Sequence, residues 1–179
     1  ASAYDPDTNK TVIVYRDTGD SNKGKAVVAT VSGTSVSFGT VAVFESGNHG
    51  DMYNDICYDT NSNKFVIVYN SASNSTSGTA VVGTISGTSL SFGTPVVFNN
   101  ADTRNHVKLD SIGSDKVVIV FQDVGDSNHG TAIVGTVSGT SISFGSEADF
   151  EGSDSTIWPN VASIGDNKVV IAWCKDAGG

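Results

Sequence analysis

Three segments of the chain hold most of the side chains that could bind or react with a ligand. They read ESGNHGDMYNDIC (45–57), NNADTRNHVKL (99–109) and EGSDSTIWPNV (151–161). Aromatic rings stack on the faces of sugar rings, while carboxylates and amides hydrogen-bond sugar hydroxyls. The segments therefore predict a carbohydrate-binding surface, and the alternative is that they are ordinary variable loops. The candidate ligand-binding residues are His49, Asp51, Tyr53, Asp55, Arg104, His106 and Trp158.

Two further loops carry carboxylates in the same pattern, DTGDSNKG (17–24) and DVGDSNHG (123–130). Carboxylate oxygens are ligands that Ca²⁺ prefers. The corresponding loop SASNSTSG (71–78) contains no acidic residue, so the repeat does not require Ca²⁺. We therefore expect solvated turns with side chain–backbone hydrogen bonds and no cofactor, with Ca²⁺ as the alternative. The candidate Ca²⁺ ligands are Asp17, Asp20, Asp123 and Asp126.

A catalytic function would need a motif that the sequence does not supply. Asp51 and Asp55 are close enough in sequence to form the carboxylate pair of a glycosidase. The serines lie outside any Gly-x-Ser-x-Gly motif, the histidines lack zinc-ligand spacing, and no phosphate-binding loop of the Walker type occurs. The sequence therefore predicts a non-catalytic protein, and a polysaccharide-acting glycosidase or lyase is the enzymatic alternative.

The elements that position these residues repeat along the chain. Four lysines, each opening a strand signal, are 54, 52 and 52 residues apart. The signals are KTVIVYRD (10–17), KFVIVYNS (64–71), KVVIVFQD (116–123) and KVVIAWCK (168–175). Each complete unit has four strand signals, and the second and third carry consecutive apolar residues, which predicts burial on both faces. The first strand is aligned as NDICYD (54–59), HVKLDS (106–111) and WPNVAS (158–163).

A second repeated segment, VSGTSVSFGT (31–40), joins the third strand of a unit to the fourth. Its central residues Gly33 and Thr34 predict a two-residue hairpin of type II′. The fourth strand alternates, with Ile142 and Phe144 on one face and serines on the other, which predicts one polar face. Pro95 falls in this strand of the second copy, and proline is tolerated mainly at sheet edges. The fourth strand is therefore predicted to be the outer edge of each sheet.

Four antiparallel strands per unit, with inner strands buried on both faces, are typical of β-propeller blades. The sequence predicts an all-β, propeller-like fold of about 3.5 four-stranded blades. A β-sandwich and a linear stack of β-repeats are the alternatives. The chain is predicted as a single repeat domain, 1–179, made of blade 1 (1–46), blade 2 (47–100), blade 3 (101–152) and half blade 4 (153–179).

Both ends of the sequence fall inside the repeat, since the fourth unit stops at KDAGG (175–179). An incomplete stack of blades exposes apolar faces and strand edges, which favours association. We therefore expect a homo-oligomer in which another copy completes or extends the stack.

Units such as KVVIVFQDVGDSNHGTAIVGTVSGTSISFGS (116–146) resemble repeats in large predicted proteins of marine phages and bacteria. Those proteins are taken as propeller-like and as surface-exposed or tail-associated. The resemblance covers essentially the whole chain and implies a binding or adhesion module that is extracellular or lies on a virion or cell surface. A purely structural repeat of a larger phage or cell-surface assembly is the alternative. The resemblance implies no catalytic residue.

The charge of the chain argues against two classes of partner. The formal net charge is −9 and the isoelectric point is about 4.5. Nucleic acids and anionic membrane surfaces need basic patches, and the sequence contains no apolar run of transmembrane length. We therefore expect neither nucleic-acid binding nor membrane insertion, whereas a neutral glycan or a cation fits the charge. Cys57 and Cys174 occupy different positions in their units, so free thiols are expected.

Overall fold

The computed structural model describes residues 1–103 and 106–176, without the side chains of residues 51, 52 and 176. Within these residues the chain is all-β, as predicted. Its sheets are antiparallel, one of them is curled into a half-barrel, and two short 3₁₀ turns are the helical elements of the described part. Cys57 and Cys174 are free thiols, the first buried and the second exposed.

The first two units contain five strands each, in the same order. Unit 1 comprises β1 (Ser2–Asp5), β2 (Lys10–Asp17), β3 (Lys23–Ser32), β4 (Ser35–Phe38) and β5 (Ala42–Glu45). Unit 2 comprises β6 (His49–Asp59), β7 (Lys64–Ser71), β8 (Ser77–Ser86), β9 (Ser89–Phe92) and β10 (Val96–Asp102), with the 3₁₀ turn Ala72–Asn74 between β7 and β8.

The third unit repeats this order, and the fourth has two strands. Unit 3 comprises β11 (Lys108–Gly113), β12 (Lys116–Asp123), β13 (His129–Ser138), β14 (Ser141–Phe144) and β15 (Ala148–Glu151), with the 3₁₀ turn Val124–Asp126 between β12 and β13. Unit 4 comprises β16 (Ser155–Gly165) and β17 (Lys168–Asp176).

The outer strand predicted for each sheet is two short strands instead of one. In unit 1 the sheet order is β1-β2-β3-β4, and β5 pairs with the other half of β3. Units 2 and 3 have the same arrangement. In unit 2 the interruption contains Pro95, which has no N–H to donate to the ladder, so the break there costs no hydrogen bond at that residue.

The hairpins that lead to the outer strands have the predicted form. Gly33, Gly87 and Gly139 all have a φ of 61°. The threonine after each glycine is not among the residues with positive φ, as a type II′ turn requires. The hairpin loop in unit 1 is two residues long, because Ser32 pairs with Ser35. The type II′ prediction is confirmed.

Sheets stack face to face in chain order because the second strand of each unit is apolar on both faces. In β7, Val66 and Val68 lie in a core shared with unit 3, whereas Ile67 and Tyr69 lie in a core shared with unit 1. All four side chains are fully buried. Strand β12 likewise contributes to one core with unit 2 and another with unit 4. The predicted burial on both faces is confirmed for β7 and β12, whereas β2 is fully buried on one face only and the described side chains of β17 are partly or fully exposed.

In units 1 and 2 the glycine that ends the SFG segment fits against the hairpin of the next unit. A Cβ on Gly39 would lie 1.9 Å from the carbonyl oxygen of Thr88, and one on Gly93 would lie 1.8 Å from that of Thr140. No side chain can be accommodated at such distances, so the backbone of one unit contacts the turn of the next directly. The repeated segment therefore sets the spacing between neighbouring sheets.

We expect Gly39→Ala to lower the free energy of unfolding by about 1–3 kcal/mol, the usual cost of overpacking. Gly145→Ala is the matched control, because the nearest atom to a Cβ there is 3.8 Å away. Gly39 and Gly145 make the same backbone hydrogen bond, at 2.8 Å to Val28 O and 3.0 Å to Val134 O. Urea denaturation measures both variants, and equal destabilisation would contradict the proposed contact.

Candidate ligand-binding site

Three aromatic side chains from three different units meet at one end of the stacked sheets. The ring centroids of Tyr53 and His106 are 4.4 Å apart, and those of His106 and Trp158 are 5.7 Å apart. These separations are typical of attractive ring–ring contacts. The fold thus brings together one candidate residue from each variable segment. We call Tyr53, His106 and Trp158 the aromatic column.

The aromatic column occupies the same position in successive units. The fifth residue of the second strand (β7, β12 or β17) pairs with a residue of the first strand. Each ring of the column lies two residues before that first-strand residue. These pairs are Asp55↔Val68, Lys108↔Val120 and Asn160↔Ala172. The sequence alignment places Asn54 opposite His106 and Trp158, whereas the strand pairing places Tyr53, one residue earlier, at that position. The cause is the turn of unit 2, which is one residue longer than that of unit 3, as the pairs Tyr58↔Phe65 and Ser111↔Val117 show.

Two residues of the aromatic column have a backbone conformation that bulky side chains avoid. The φ angle is 72° at His106 and 52° at Trp158. Left-handed conformations of this kind cost about 1–3 kcal/mol each in non-glycine residues and concentrate at functional sites. Trp158 lies where the pairing of β16 with β17 shifts register, between Ile157 and Asn160. This irregular backbone carries an indole ring that is 59% exposed.

Asp55 and Lys108 add charged groups beside the column. Lys108 Nζ is 3.7 Å from Asp55 Oδ2, which also accepts a hydrogen bond from the Leu109 N–H at 3.3 Å. Burial raises the pKa of Asp55 above its ordinary value, and the charge of Lys108 partly opposes this. Burial lowers the pKa of His106, and Lys108 lowers it further. Lys108 therefore couples the carboxylate electrostatically to the central ring of the column.

His49 was predicted as a ligand-binding residue, but it is fully buried. Its ring centroid lies 5.4 Å from that of Tyr69, and its backbone N–H donates to Asn22 O of unit 1 at 2.9 Å. The N–H groups of Thr103 and Thr156 make the corresponding bond to the preceding units, and both residues are fully buried. A side chain in this position cannot reach a ligand, so His49 belongs to the core between units 1 and 2.

Two further candidates lie outside the described residues, namely Arg104 and the side chain of Asp51. The backbone of Asp51 is part of β6. The carboxylate pair predicted for the enzymatic alternative, Asp51 with Asp55, therefore has no described geometry, and the absence of catalysis stays a prediction.

In unit 1 a lysine takes the place considered for Ca²⁺. Lys25 Nζ is 2.8 Å from Asp17 Oδ2 and 2.7 Å from Asp20 Oδ2. Hydrogen bonds to the two carboxylates raise the pKa of Lys25, and the same bonds lower the pKa of Asp17 and of Asp20. Because the ammonium group of Lys25 already forms ion pairs with both carboxylates, the structure argues against Asp17 and Asp20 as Ca²⁺ ligands.

In unit 3 the first carboxylate of the equivalent loop is used to order the turn. Asp123 Oδ1 accepts hydrogen bonds from the Gly125 N–H at 2.9 Å and the Asp126 N–H at 3.3 Å. Its Oδ2 accepts one from Asn99 Nδ2 at 2.8 Å. In unit 1, Asp17 Oδ1 accepts the corresponding bond at 2.9 Å. The predicted side chain–backbone hydrogen bonds are confirmed in both loops, and Asp123 is unsuited to Ca²⁺.

A scan against protein-family models and a search of curated proteins both found no match. Across the part of the chain that the structure describes, no helix is long and apolar enough to cross a membrane.

We expect Lys108→Gln to raise the pKa of both Asp55 and His106, because the lysine charge lowers both. NMR titration of the Asp55 carboxyl carbon and the His106 ring protons measures the shifts. Lys64→Gln, at the other end of the sheet, is the control and should change neither pKa.

The pKa of His106 is lower in the folded chain than its ordinary value of 6.5. Folding therefore loses stability as the pH falls below that value, and Lys108→Gln should reduce this loss.

Proposed function

We propose that this chain is a surface-exposed, non-catalytic module that binds neutral carbohydrate through the aromatic column. The observation that supports this proposal is the contact of three rings from three units with two of them well exposed. Tyr53 is 39% exposed and Trp158 is 59% exposed. Exposed aromatic side chains in contact with one another mark ligand-binding surfaces, and a sugar ring covers such faces with its C–H groups.

The spacing of the column favours an extended ligand over a single sugar. Because each unit contributes one ring at the same position, successive rings face successive parts of anything that runs across the sheets. A polysaccharide has this repeating form. Asp55 and Lys108 lie beside the rings and supply an acceptor and donors for hydroxyl groups. A net charge of −9 disfavours an anionic chain, so we expect a neutral one.

The surroundings of Asp55 favour binding over hydrolysis. A glycosidase needs two carboxyl groups about 5–10 Å apart, one on each side of the scissile bond. The Asp55 carboxylate instead contacts Lys108 Nζ and the Leu109 N–H. These contacts suit a group that holds a fixed position beside a ligand.

We expect Trp158→Ala to weaken binding to the preferred neutral glycan by about tenfold, since one stacked ring contributes about 0.5–1.5 kcal/mol beyond its buried area. A glycan array identifies the ligand, and calorimetry measures its affinity. Tyr4→Ala is the matched control, because that ring is 53% exposed but lies near the β1–β2 turn.

The outcomes separate the three functions considered. Absence of glycan binding by the unmodified chain would favour a purely structural repeat of a larger assembly. Binding that Trp158→Ala leaves unchanged would rule out the aromatic column as the site. Polysaccharide cleavage that is lost in Asp55→Asn would favour a glycosidase or lyase.

We further propose that the units are propeller-like blades and that a second copy completes or extends the stack. In unit 2, Phe92 packs against the core shared with unit 1, and in unit 3, Ile142 and Phe144 pack against the core shared with unit 2. The equivalent residues of unit 1, Val36 and Phe38, are 53% and 62% exposed. This surface is the one that a neighbouring sheet covers in the other units.

The last hairpin exposes the complementary surface. Ile164 and Val170 are 61% and 53% exposed. Their equivalents in unit 3, Ile112 and Val118, belong to the core that unit 4 covers. A head-to-tail contact between two copies would bury both surfaces, and such contacts produce either a closed ring or a fibre.

We expect Phe38→Asp to weaken self-association by at least about tenfold, because burying a phenylalanine side chain contributes about 1.5–3 kcal/mol. Ser37→Asp places the same charge on the other face of β4 and is the matched control. Sedimentation velocity over a range of concentrations measures the association. An unmodified chain that stays monomeric at high concentration would contradict this proposal.

A further inference from the structure

A second polar cluster lies where the β12–β13 turn of unit 3 meets β15, at the same end of the sheets as the aromatic column. Asp126 ends the 3₁₀ turn, His129 opens β13, and Asp149 lies in β15. His129 Nδ1 is 3.4 Å from Asp126 Oδ2 and 3.6 Å from Asp149 Oδ2. One imidazole nitrogen and two carboxylate oxygens therefore converge, and all three lie within 4.8 Å of one another.

The two separations from His129 Nδ1, 3.4 and 3.6 Å, fit ligands around an ion better than they fit hydrogen bonds. The Nδ1 atom of His129 is buried and makes no hydrogen bond to any described residue, although two carboxylates lie beside it. N–H···O hydrogen bonds are normally about 2.7–3.2 Å long. Two ligand atoms that are each about 2.1 Å from a tetrahedral ion are about 3.4 Å from each other.

Unit 1 provides an internal comparison, because it holds a cation at the equivalent place. Asp20 corresponds to Asp126, and Lys25 corresponds to Thr131. Lys25 Nζ lies 2.7 Å from Asp20 and 2.8 Å from Asp17. A second lysine, Lys23, lies 2.9 Å from Asp20 Oδ1 and occupies the position of His129. The first unit thus neutralises its carboxylates with two ammonium groups of its own, where unit 3 has a threonine and a histidine.

Unit 3 also has a carboxylate that unit 1 lacks. Asp149 occupies the position of Val43. Within the described residues, neither Asp126 nor Asp149 forms an ion pair with a lysine or an arginine. The Thr131 hydroxyl donates to Asp149 Oδ1 at 3.0 Å, so Oδ2 is the oxygen that lies near His129. Hydroxyl partners of this kind commonly fix the orientation of a metal-binding carboxylate.

Unit 2 lacks both the loop carboxylates and the lysine that unit 1 has at this place. Its loop, 71–78, contains no acidic residue, and Thr79 and Val97 occupy the positions of Lys25 and Val43. Carboxylates therefore occur in unit 1 with a lysine between them, in unit 3 with an imidazole and no described lysine, and not at all in unit 2. An ion from solution would fill in unit 3 the place that the ammonium group fills in unit 1.

We propose that Asp126, His129 and Asp149 bind a divalent transition-metal ion of the Zn²⁺ class. An imidazole nitrogen with two carboxylate oxygens is a donor set suited to Zn²⁺, which takes water or a ligand in its fourth position. The side chains of Asp126 and Asp149 are 59% and 40% exposed, so the ion enters directly from solvent. Ca²⁺ usually takes roughly six to eight oxygen ligands, and an imidazole nitrogen does not serve it.

Titration of the full chain with Co²⁺, after treatment with a chelator, tests the site. We expect one bound ion with the visible absorption of tetrahedral Co²⁺, and we expect Zn²⁺ to displace it. His129→Gln and Asp149→Asn should each weaken binding at least about tenfold. Thr131→Lys copies the lysine of unit 1 into unit 3 and should displace the ion while the fold is kept. His106→Gln is the control and should bind Co²⁺ normally.

Three results would overturn the assignment. These are unchanged Co²⁺ affinity in both His129→Gln and Thr131→Lys, loss of affinity in His106→Gln, and tighter binding of Ca²⁺ than of Zn²⁺. Should a variant not fold, NMR of the unmodified chain gives an independent test. Bound Co²⁺ should broaden or shift the resonances of residues 126–129 and 149 first, and a paramagnetic effect centred elsewhere also contradicts the site.

Discussion

The second strand of each unit carries apolar side chains on both faces, and each face needs a covering sheet. In β7, Val66 and Ile67 are adjacent in sequence, point to opposite sides, and are both fully buried, one against unit 3 and the other against unit 1. A single sheet cannot satisfy such a strand, so the units must stack. The SFG glycines then allow the sheets to approach, since the backbone at Gly39 touches the next hairpin at Thr88. The outer strands, turns and linkers take their positions from this stack of sheets.

Stacking equivalent units places equivalent residues beside one another, and this explains both proposed sites. The aromatic column is one position of the first strand repeated in three units, so its rings meet because the sheets do. His106 and Trp158 both have positive φ angles, His106 just before β11 and Trp158 within the register shift of β16. The proposed ion site depends on one unit alone, where a hairpin loop and an outer strand bring His129 close to Asp149.

Differences among the copies are as informative as their similarities. Lys25 in unit 1 and Thr131 in unit 3 occupy the same point of the same strand pairing, yet one neutralises carboxylates and the other orients one. His49 is the opposite case. A histidine in a variable segment invites a functional interpretation, but Thr103 and Thr156 fill the same buried position. Aligning the units by their strand pairing therefore distinguishes a core substitution from a new site, whereas aligning them by sequence alone does not.

The sequence by itself determined the local structure, because turn chemistry and hydrophobic pattern act over a few residues. It predicted the all-β class, the burial of the inner VIV strands β7 and β12 on both faces, the type II′ turns at Gly33 and its equivalents, and the side chain–backbone bonds of Asp17 and Asp123. It also named Tyr53, His106 and Trp158 separately. The tertiary structure decided that these three rings share one position, since a turn longer by one residue in unit 2 hid the register. It also buried His49 and brought Asp149 to His129, because such contacts depend on strands that pair or stack far apart in sequence.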